Sequence, residues 1–372
     1  MSKKISELSD ASSLNGTEFI PIVQSSATVK TAIRPLRPYD AVIDARTDAQ
    51  AGTALLNAVE RLNADGQGGE VHVMAGAINL GTNTLVLSEC VVMHGVASGW
   101  RPSYSNAKGT RLYWTGATNL GNCIQITGSG AGISNMMLDV PTTLNGDAVL
   151  CGGQATGIFK PHIHNVRIVK GPDNGSFWAL KIRDCYVVSM RDVYVTTYAN
   201  GILYDQLNDI YHTGNVAWSD IYIDTRSNNR IGMKFASPNA TQRVNLMTIN
   251  QLSAACTSGI GTGTIGLQLR GASRICFNGP DVENYETLLD LGEVGGAGSL
   301  TNSFINPYFN KSVFTLRNVL CDRASVGNTF VGGWIATPDG YSSSLQDDAT
   351  RGTLDPNMYL HVRATNGYHP YP

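Results

Sequence analysis

The sequence is short of charge: Asp, Glu, Lys and Arg make up 15% of its 372 residues, against a usual share near 25%. No run of Lys or Arg stands out and the net charge is −2, which removes the basic footprint that a duplex nucleic-acid binder needs. No apolar run reaches the ~18 residues of a membrane span, and Met1-Ser-Lys-Lys-Ile-Ser-Glu lacks the apolar segment of a secretory signal. Neither a nucleic-acid partner nor membrane insertion is expected. The 7 cysteines are odd in number and contain no Cys-x-x-Cys pair, so free buried thiols are expected rather than a disulfide framework or a zinc site. Proline is sparse at 14, and the 40 glycines show no period of three, which excludes collagen. Hydrophobic residues amount to 42% and tyrosines to 15, so the chain folds rather than remaining disordered.

Residues 1–38 read as a separate piece. Leu8-Ser-Asp-Ala-Ser-Ser is turn-forming, Glu18-Phe-Ile-Pro-Ile-Val-Gln and Ala27-Thr-Val-Lys-Thr-Ala-Ile read as two short strands, and Arg34-Pro-Leu-Arg-Pro-Tyr as a stiff linker. Two strands are not stable alone, so this piece must dock on something. Between 48 and 64 the apolar residues Ala51, Leu55, Ala58, Val59 and Leu62 recur at helical spacing and stop at Asp65-Gly66. From Gly69 onward the chain alternates like short strands punctuated by Gly, Asn and Asp.

A period runs through that region. Asn135, Asn165, Asp192, Asp220, Asn250, Gly279, Asn306 and Gly332 follow one another at steps of 26 to 30 residues, and all are types that tolerate left-handed backbone. Two positions earlier stand Ile133, Ile163, Met190, Trp218, Thr248, Phe277, Phe304 and Phe330, nearly all apolar and expected to point inward. The fifth row, with Gln251 and Ser253 at inward positions, is out of phase. Short strands with one inward face, stacking like on like, predict an all-β parallel solenoid over 39–336. The helix would cap its N-terminal end, and 337–372 would form a tail with a small terminal strand.

Tyr39-Asp-Ala-Val-Ile-Asp-Ala-Arg-Thr-Asp, the helix, Gly66-Gln-Gly-Gly-Glu-Val-His-Val-Met-Ala-Gly and Val91-Val-Met-His-Gly-Val-Ala-Ser-Gly resemble the opening of the pectate-lyase-like right-handed β-helix family found in bacteriophage tailspikes. The family usually carries Gly-Asp-Gly before the helix and Pro-x-Gly after the first strand; here Asp44-Ala-Arg and Met74-Ala-Gly stand instead. Residues 3–33 look like the leader of phage tail and spike proteins, which implies virion attachment through Ile5, Leu8, Phe19, Ile20, Pro21 and Val23. The resemblance implies a right-handed, single-stranded parallel β-helix, a homotrimer, a contact with tail or baseplate proteins, a place on the virion, and host surface polysaccharide as the ligand. It does not choose between binder and enzyme, because such folds host both.

The period of two sends the second and fourth residues after the bend outward. The first outward column is Met137, Arg167, Tyr194, Tyr222, Leu252, Asp281, Tyr308 and Trp334; the second includes Asp139, Asp224, Ala254, Glu283 and Ala336. Aromatic rings suit the apolar faces of sugars and carboxylates accept their hydroxyls, so Tyr194, Tyr222, Tyr308, Trp334 and Arg167 are candidate glycan contacts. Ordinary exposed ladders or trimer contacts explain the same residues, since Tyr is a good strand former. Asp281 and Glu283, two apart on one strand, place carboxyls about 6 to 7 Å apart, the separation of an inverting glycosidase. In a hydrolase Glu283 would be the acid and Asp281 the base, with Asp224 a third candidate; two solvated surface acids are the plain alternative. His162 and His164 share a strand face without a convincing third ligand, and the glycines at 259, 261 and 263 match no nucleotide motif. An inserted aromatic and basic segment, with Trp100, Tyr104 and Trp114, is a further candidate for sugar contact. No metal or cofactor is expected. The reading is thus a virion spike or fibre that binds host glycan, with a glycan depolymerase, or an adaptor carrying another fibre, as alternatives.

Overall fold

The computed structural model describes residues 19–24, 27–32, 41–44, 50–98, 109–116, 121–153, 157–207, 216–237, 239, 244–256, 262–295, 297–310, 317–335, 345–347, 357–364 and 367–368. Ile5, Leu8, Trp100 and Tyr104 lie outside them. Phe19, Ile20, Pro21 and Val23 belong to the strand Phe19–Gln24, which pairs antiparallel with Ala27–Ala32.

The chain is a parallel β-solenoid. One sheet has 10 strands, one per turn, from Leu85–Leu87 to Leu345–Asp347. The other is bent: strands such as Gly132–Val140, His162–Lys170, Ser189–Thr197 and Val216–Thr225 pair in register, and each turns a corner at one left-handed residue. That residue is Asn135, Asn165, Asp192, Asp220, Gly279, Asn306 or Gly332, with φ between 50° and 66°. Asn and Asp reach this region at low cost because their short side chains bond locally. In the fifth row the corner is Gln251 at φ 57°, not Asn250. The shift of one residue buries Ile249, Leu252 and Ala254 and turns Ser253 outward, which corrects the expected row.

Stacked rungs place like on like. Phe277 and Phe304 stack with ring centroids 5.1 Å apart, Phe304 and Phe330 at 4.7 Å, and Phe330 and Tyr359 at 4.6 Å. Beside them runs a buried ladder of amides: Asn302 Nδ2 donates to Asn328 Oδ1 at 2.9 Å, and Asn328 Nδ2 donates to Asn357 Oδ1 at 3.0 Å. The strands Met358–Leu360 and Arg363–Ala364 pair with Thr329–Val331 and Trp334–Ile335, so the stacking continues past residue 336.

The helix Ala51–Asp65 buries Ala51, Leu55, Ala58, Val59 and Leu62 and ends at Gly66 with φ 64°. It covers the edge strand Leu85–Leu87: Asn63 Nδ2 donates to the Val86 carbonyl at 2.7 Å, and its Oδ1 accepts from the Ser88 N–H at 3.1 Å. An open sheet edge is thereby closed. No helix among the described residues is long and apolar enough to cross a membrane. The approach is so close that a Cβ on Gly52 would stand 2.0 Å from the Asn79 carbonyl oxygen. Ala is ordinarily the better helix residue, yet Gly52→Ala is expected to cost about 1–3 kcal/mol through overpacking, read as a lower urea midpoint.

Candidate glycan-binding groove

The corners line up along the solenoid, and a groove of about 820 Å³ follows them. Its walls come from both sides of the bend: His94, Ser134, His164 and Arg191 from the residue just before it, and Arg167, Tyr194, Tyr222 and Ser253 from the second residue after it. The corner amides lie between, with Asn165 Nδ2 donating to Asn135 Oδ1 at 2.9 Å. From the rung of His94 to that of Ser253 the register runs through five steps, about 24 Å at roughly 4.8 Å per rung.

The aromatic ladder differs in a useful way from a row of open platforms. The Arg167 guanidinium lies 4.5 Å from the centre of the Tyr194 ring, and Tyr194 stacks on Tyr222 at 4.4 Å with planes 7° apart. Both faces of Tyr194 are therefore covered, so it offers an edge and a hydroxyl rather than a face. The next residue in the column is Ser253, too small to stack, so the far face of Tyr222 looks onto a notch. Burial, with Tyr194 beside it, pushes the Tyr222 hydroxyl up to about 12, which keeps it protonated at any ordinary pH. Beyond the notch the column continues with Asp281, Tyr308 and Trp334; the last two rings are tilted with centroids 5.0 Å apart.

Asp281 is half-buried, and its Oδ1 is a buried atom without a hydrogen-bond partner. Burial first, and then the neighbouring Glu283, raise the Asp281 carboxyl above the usual carboxylate range. Asn310 Nδ2 donates to Glu283 Oε2 at 3.4 Å. In an acid–base pairing the raised carboxyl makes Asp281 the better proton donor, the role that the sequence reading gives to Glu283. Stability follows the same shift: a carboxyl raised in the folded state stabilises below its unfolded value of ~3.9 and loses that contribution as pH rises through the folded value. Asp281→Asn is therefore expected to raise the melting temperature at pH 7 more than at pH 3.5, which thermal scans at the two pH values check.

Four other residues expected at the surface lie elsewhere. Asp224 is 3% exposed and its Oδ2 accepts from Arg226 Nε at 3.1 Å, which removes it from the surface as a catalytic group. Asp139 in the same column is tied to Arg111 and Lys170. Trp114 is 4% exposed and donates from Nε1 to the Asn83 carbonyl at 2.9 Å, so it packs the core instead of meeting sugar. Leu252 faces inward because of the Gln251 corner.

Of the column just before the bend the sequence reading singles out His164 alone; Ser134 and Arg191 precede their corners in the same way, and His94 pairs in register with Ser134. His162 is pushed down to about 4 by burial, then by His164 and His94. His94 is lowered by burial against the pull of Glu70, and His164 by burial and then Arg191. All three imidazoles are neutral at pH 7 and can donate and accept. Arg167 and Arg191 are balanced by Asp192 and Asp220 in the same groove, so no strong field of one sign exists. No group of three or more metal-ligating side chains occurs among the described residues.

No family model and no curated protein matches the chain. Solved structures do. DFA-IIIase from Arthrobacter chlorophenolicus A6, as its C387A mutant, is 12% identical and similar over 88% of this chain and 92% of that one, with a TM-score of 0.51. The same enzyme in complex with DFA-III gives 11% identity, coverage of 88% and 92%, and a TM-score of 0.50. The Dettilon tailspike protein is 11% identical over 87% of this chain and 67% of that one, at a TM-score of 0.32. At such identities the likeness is one of architecture, and the chain shares the parallel β-solenoid fold.

Proposed function

We propose that the chain binds a bacterial surface polysaccharide along the corner groove, as part of a phage virion appendage. The observation that carries the glycan reading is the notch at Ser253: one open aromatic face on Tyr222, the Asp281 carboxyl further along the same column, and imidazoles on the facing wall of the groove. A groove of about 24 Å at the roughly 4.8 Å rung spacing accommodates several sugar units, and its balanced charges suit a neutral or mixed-charge polymer better than the dense phosphates of nucleic acid. The virion role rests on the resemblance of residues 3–33 and 39–99 to phage proteins, with residues 1–38 as the attachment to tail or baseplate proteins and a homotrimer as the assembly. Titrating the purified chain with polysaccharides from a panel of bacterial strains tests the glycan reading; absence of binding to all of them would count against it.

A hydrolytic version of this reading is favoured by one observation, the half-buried Asp281 with its unpartnered Oδ1 on the same short strand as Glu283. Asp281 would protonate the leaving oxygen and Glu283 activate the water. Release of reducing ends, lost in both Asp281→Asn and Glu283→Gln, supports it; binding without release leaves a binding protein.

A further inference from the structure

At the N-terminal end of the groove three side chains on successive rungs form a relay. Ser134 lines the groove, and its Oγ lies 2.7 Å from His94 Nδ1. On the other side of the ring, His94 Nε2 lies 3.9 Å from Glu70 Oε2, whose same oxygen lies 3.0 Å from His72 Nε2. A hydroxyl, an imidazole and a carboxylate in this order are the parts of a serine acyl-transfer site, recognised by geometry and not by position in the chain. We propose that Ser134, His94 and Glu70 form a serine esterase site that removes O-acyl groups from a sugar held in the groove.

The site requires the tautomer protonated on Nε2, which leaves Nδ1 to accept from the Ser134 hydroxyl at 2.7 Å; Glu70, at 3.9 Å and beyond hydrogen-bond distance, favours that form through its charge. The groups facing His94 are Glu70 and His72 from one rung, Ser134 from the next and His162 from the one after. The burial that keeps His94 neutral near pH 7 serves the same role. Ser134 Oγ attacks the ester carbonyl carbon while its proton passes to His94 Nδ1. The tetrahedral oxyanion then expels the sugar oxygen, which takes that proton from His94. Water, deprotonated by His94, cleaves the acyl-serine, releasing a carboxylic acid and restoring the hydroxyl; no electron acceptor is needed. Asn135, the next residue, has its Oδ1 engaged by Asn165, so its Nδ2 is the donor available to the oxyanion. A second Ser–His contact, Ser189 Oγ at 2.8 Å from His164 Nε2, lacks a carboxylate ion-paired to the ring among the described residues and does not complete such a site.

The natural substrate rests on the glycan reading, whereas the chemistry does not. The full chain is treated with a fluorophosphonate and, separately, with p-nitrophenyl acetate. The expected result is one covalent adduct, on Ser134, and ester hydrolysis that falls at least about 100-fold in Ser134→Ala and His94→Gln. Circular dichroism shows whether each variant is folded. Glu70 is a positioning residue that also raises the His94 value, so Glu70→Gln is expected to shift the acid limb of the pH–rate profile to lower pH, a change that loss of structure alone would not produce. Absence of an adduct at Ser134, or hydrolysis unchanged in Ser134→Ala, overturns the proposal. Hydrolysis of the small ester without binding of any polysaccharide sinks the glycan reading alone; binding without adduct or hydrolysis sinks this one alone.

Discussion

Phe304→Ala is expected to lower the unfolding free energy by about 3–5 kcal/mol, the range for truncating a buried aromatic. Phe304 is fully buried and lies between two parallel rings, Phe277 at 5.1 Å and Phe330 at 4.7 Å, with Phe309 set edge-on at 6.5 Å. In a solenoid the space left by one rung cannot be filled from elsewhere, because each rung touches mainly its neighbours. The lost ring therefore removes contacts from both adjacent turns, and little relaxation is open to them. Phe304→Leu, which keeps much of the volume, is expected to cost less than half as much. Urea unfolding of the two variants beside the parent chain checks the difference; equal losses would mean that the stacked ring, and not the apolar volume that Leu retains, carries the whole contribution.

The second large effect concerns binding. Tyr222→Ala removes the one open face at the notch and is expected to weaken polysaccharide binding by about 2 kcal/mol, roughly 30-fold. Tyr194→Ala also reduces binding, but through Tyr222, whose ring it holds in place at 4.4 Å. Ser253→Tyr supplies the sharper test. It continues the column of rings from Tyr222 in register, so the fold accepts it on an outward strand position where Tyr is favoured. The notch is filled, however, and binding is expected to fall at least as far as in Tyr222→Ala while the melting temperature holds or rises. Isothermal titration with a polysaccharide that the parent chain binds separates the outcomes. Unimpaired binding by Ser253→Tyr would place the sugar elsewhere on the surface.

The solenoid was readable in the chain because a corner needs left-handed backbone once per turn, and few residue types occupy it cheaply. That same rule misled in the fifth row. Asn250 is the better left-handed residue by type, yet Gln251 turns the corner, since this phase buries Ile249 and Leu252 and the other would expose them. Burial of two large aliphatic side chains outweighs the small preference of Asn over Gln. Alternation told which residues leave the core but not what meets them there. Asp224 leaves it and is covered beside Arg226, and Tyr194 leaves it to be enclosed between Arg167 and Tyr222. The Arg167–Tyr194–Tyr222 contacts are made between rungs almost thirty residues apart, and a single strand carries no trace of them. The Ser134–His94–Glu70 relay is of the same sort: it spans three rungs and a 40-residue separation between Ser134 and His94. Trp114 looked like a surface aromatic within an insertion, but it closes the core and bonds Asn83.

The central claim is that sugar lies along the corner groove with one ring against Tyr222. Its most direct test is a crystal structure of the chain with a bound oligosaccharide from a polysaccharide it binds. The expected result is a hexose stacked on the far face of Tyr222 over Ser253, with the chain running toward Arg191 and His164. An oligosaccharide seated against the 10-stranded sheet instead, with the notch at Ser253 holding only water, would contradict it.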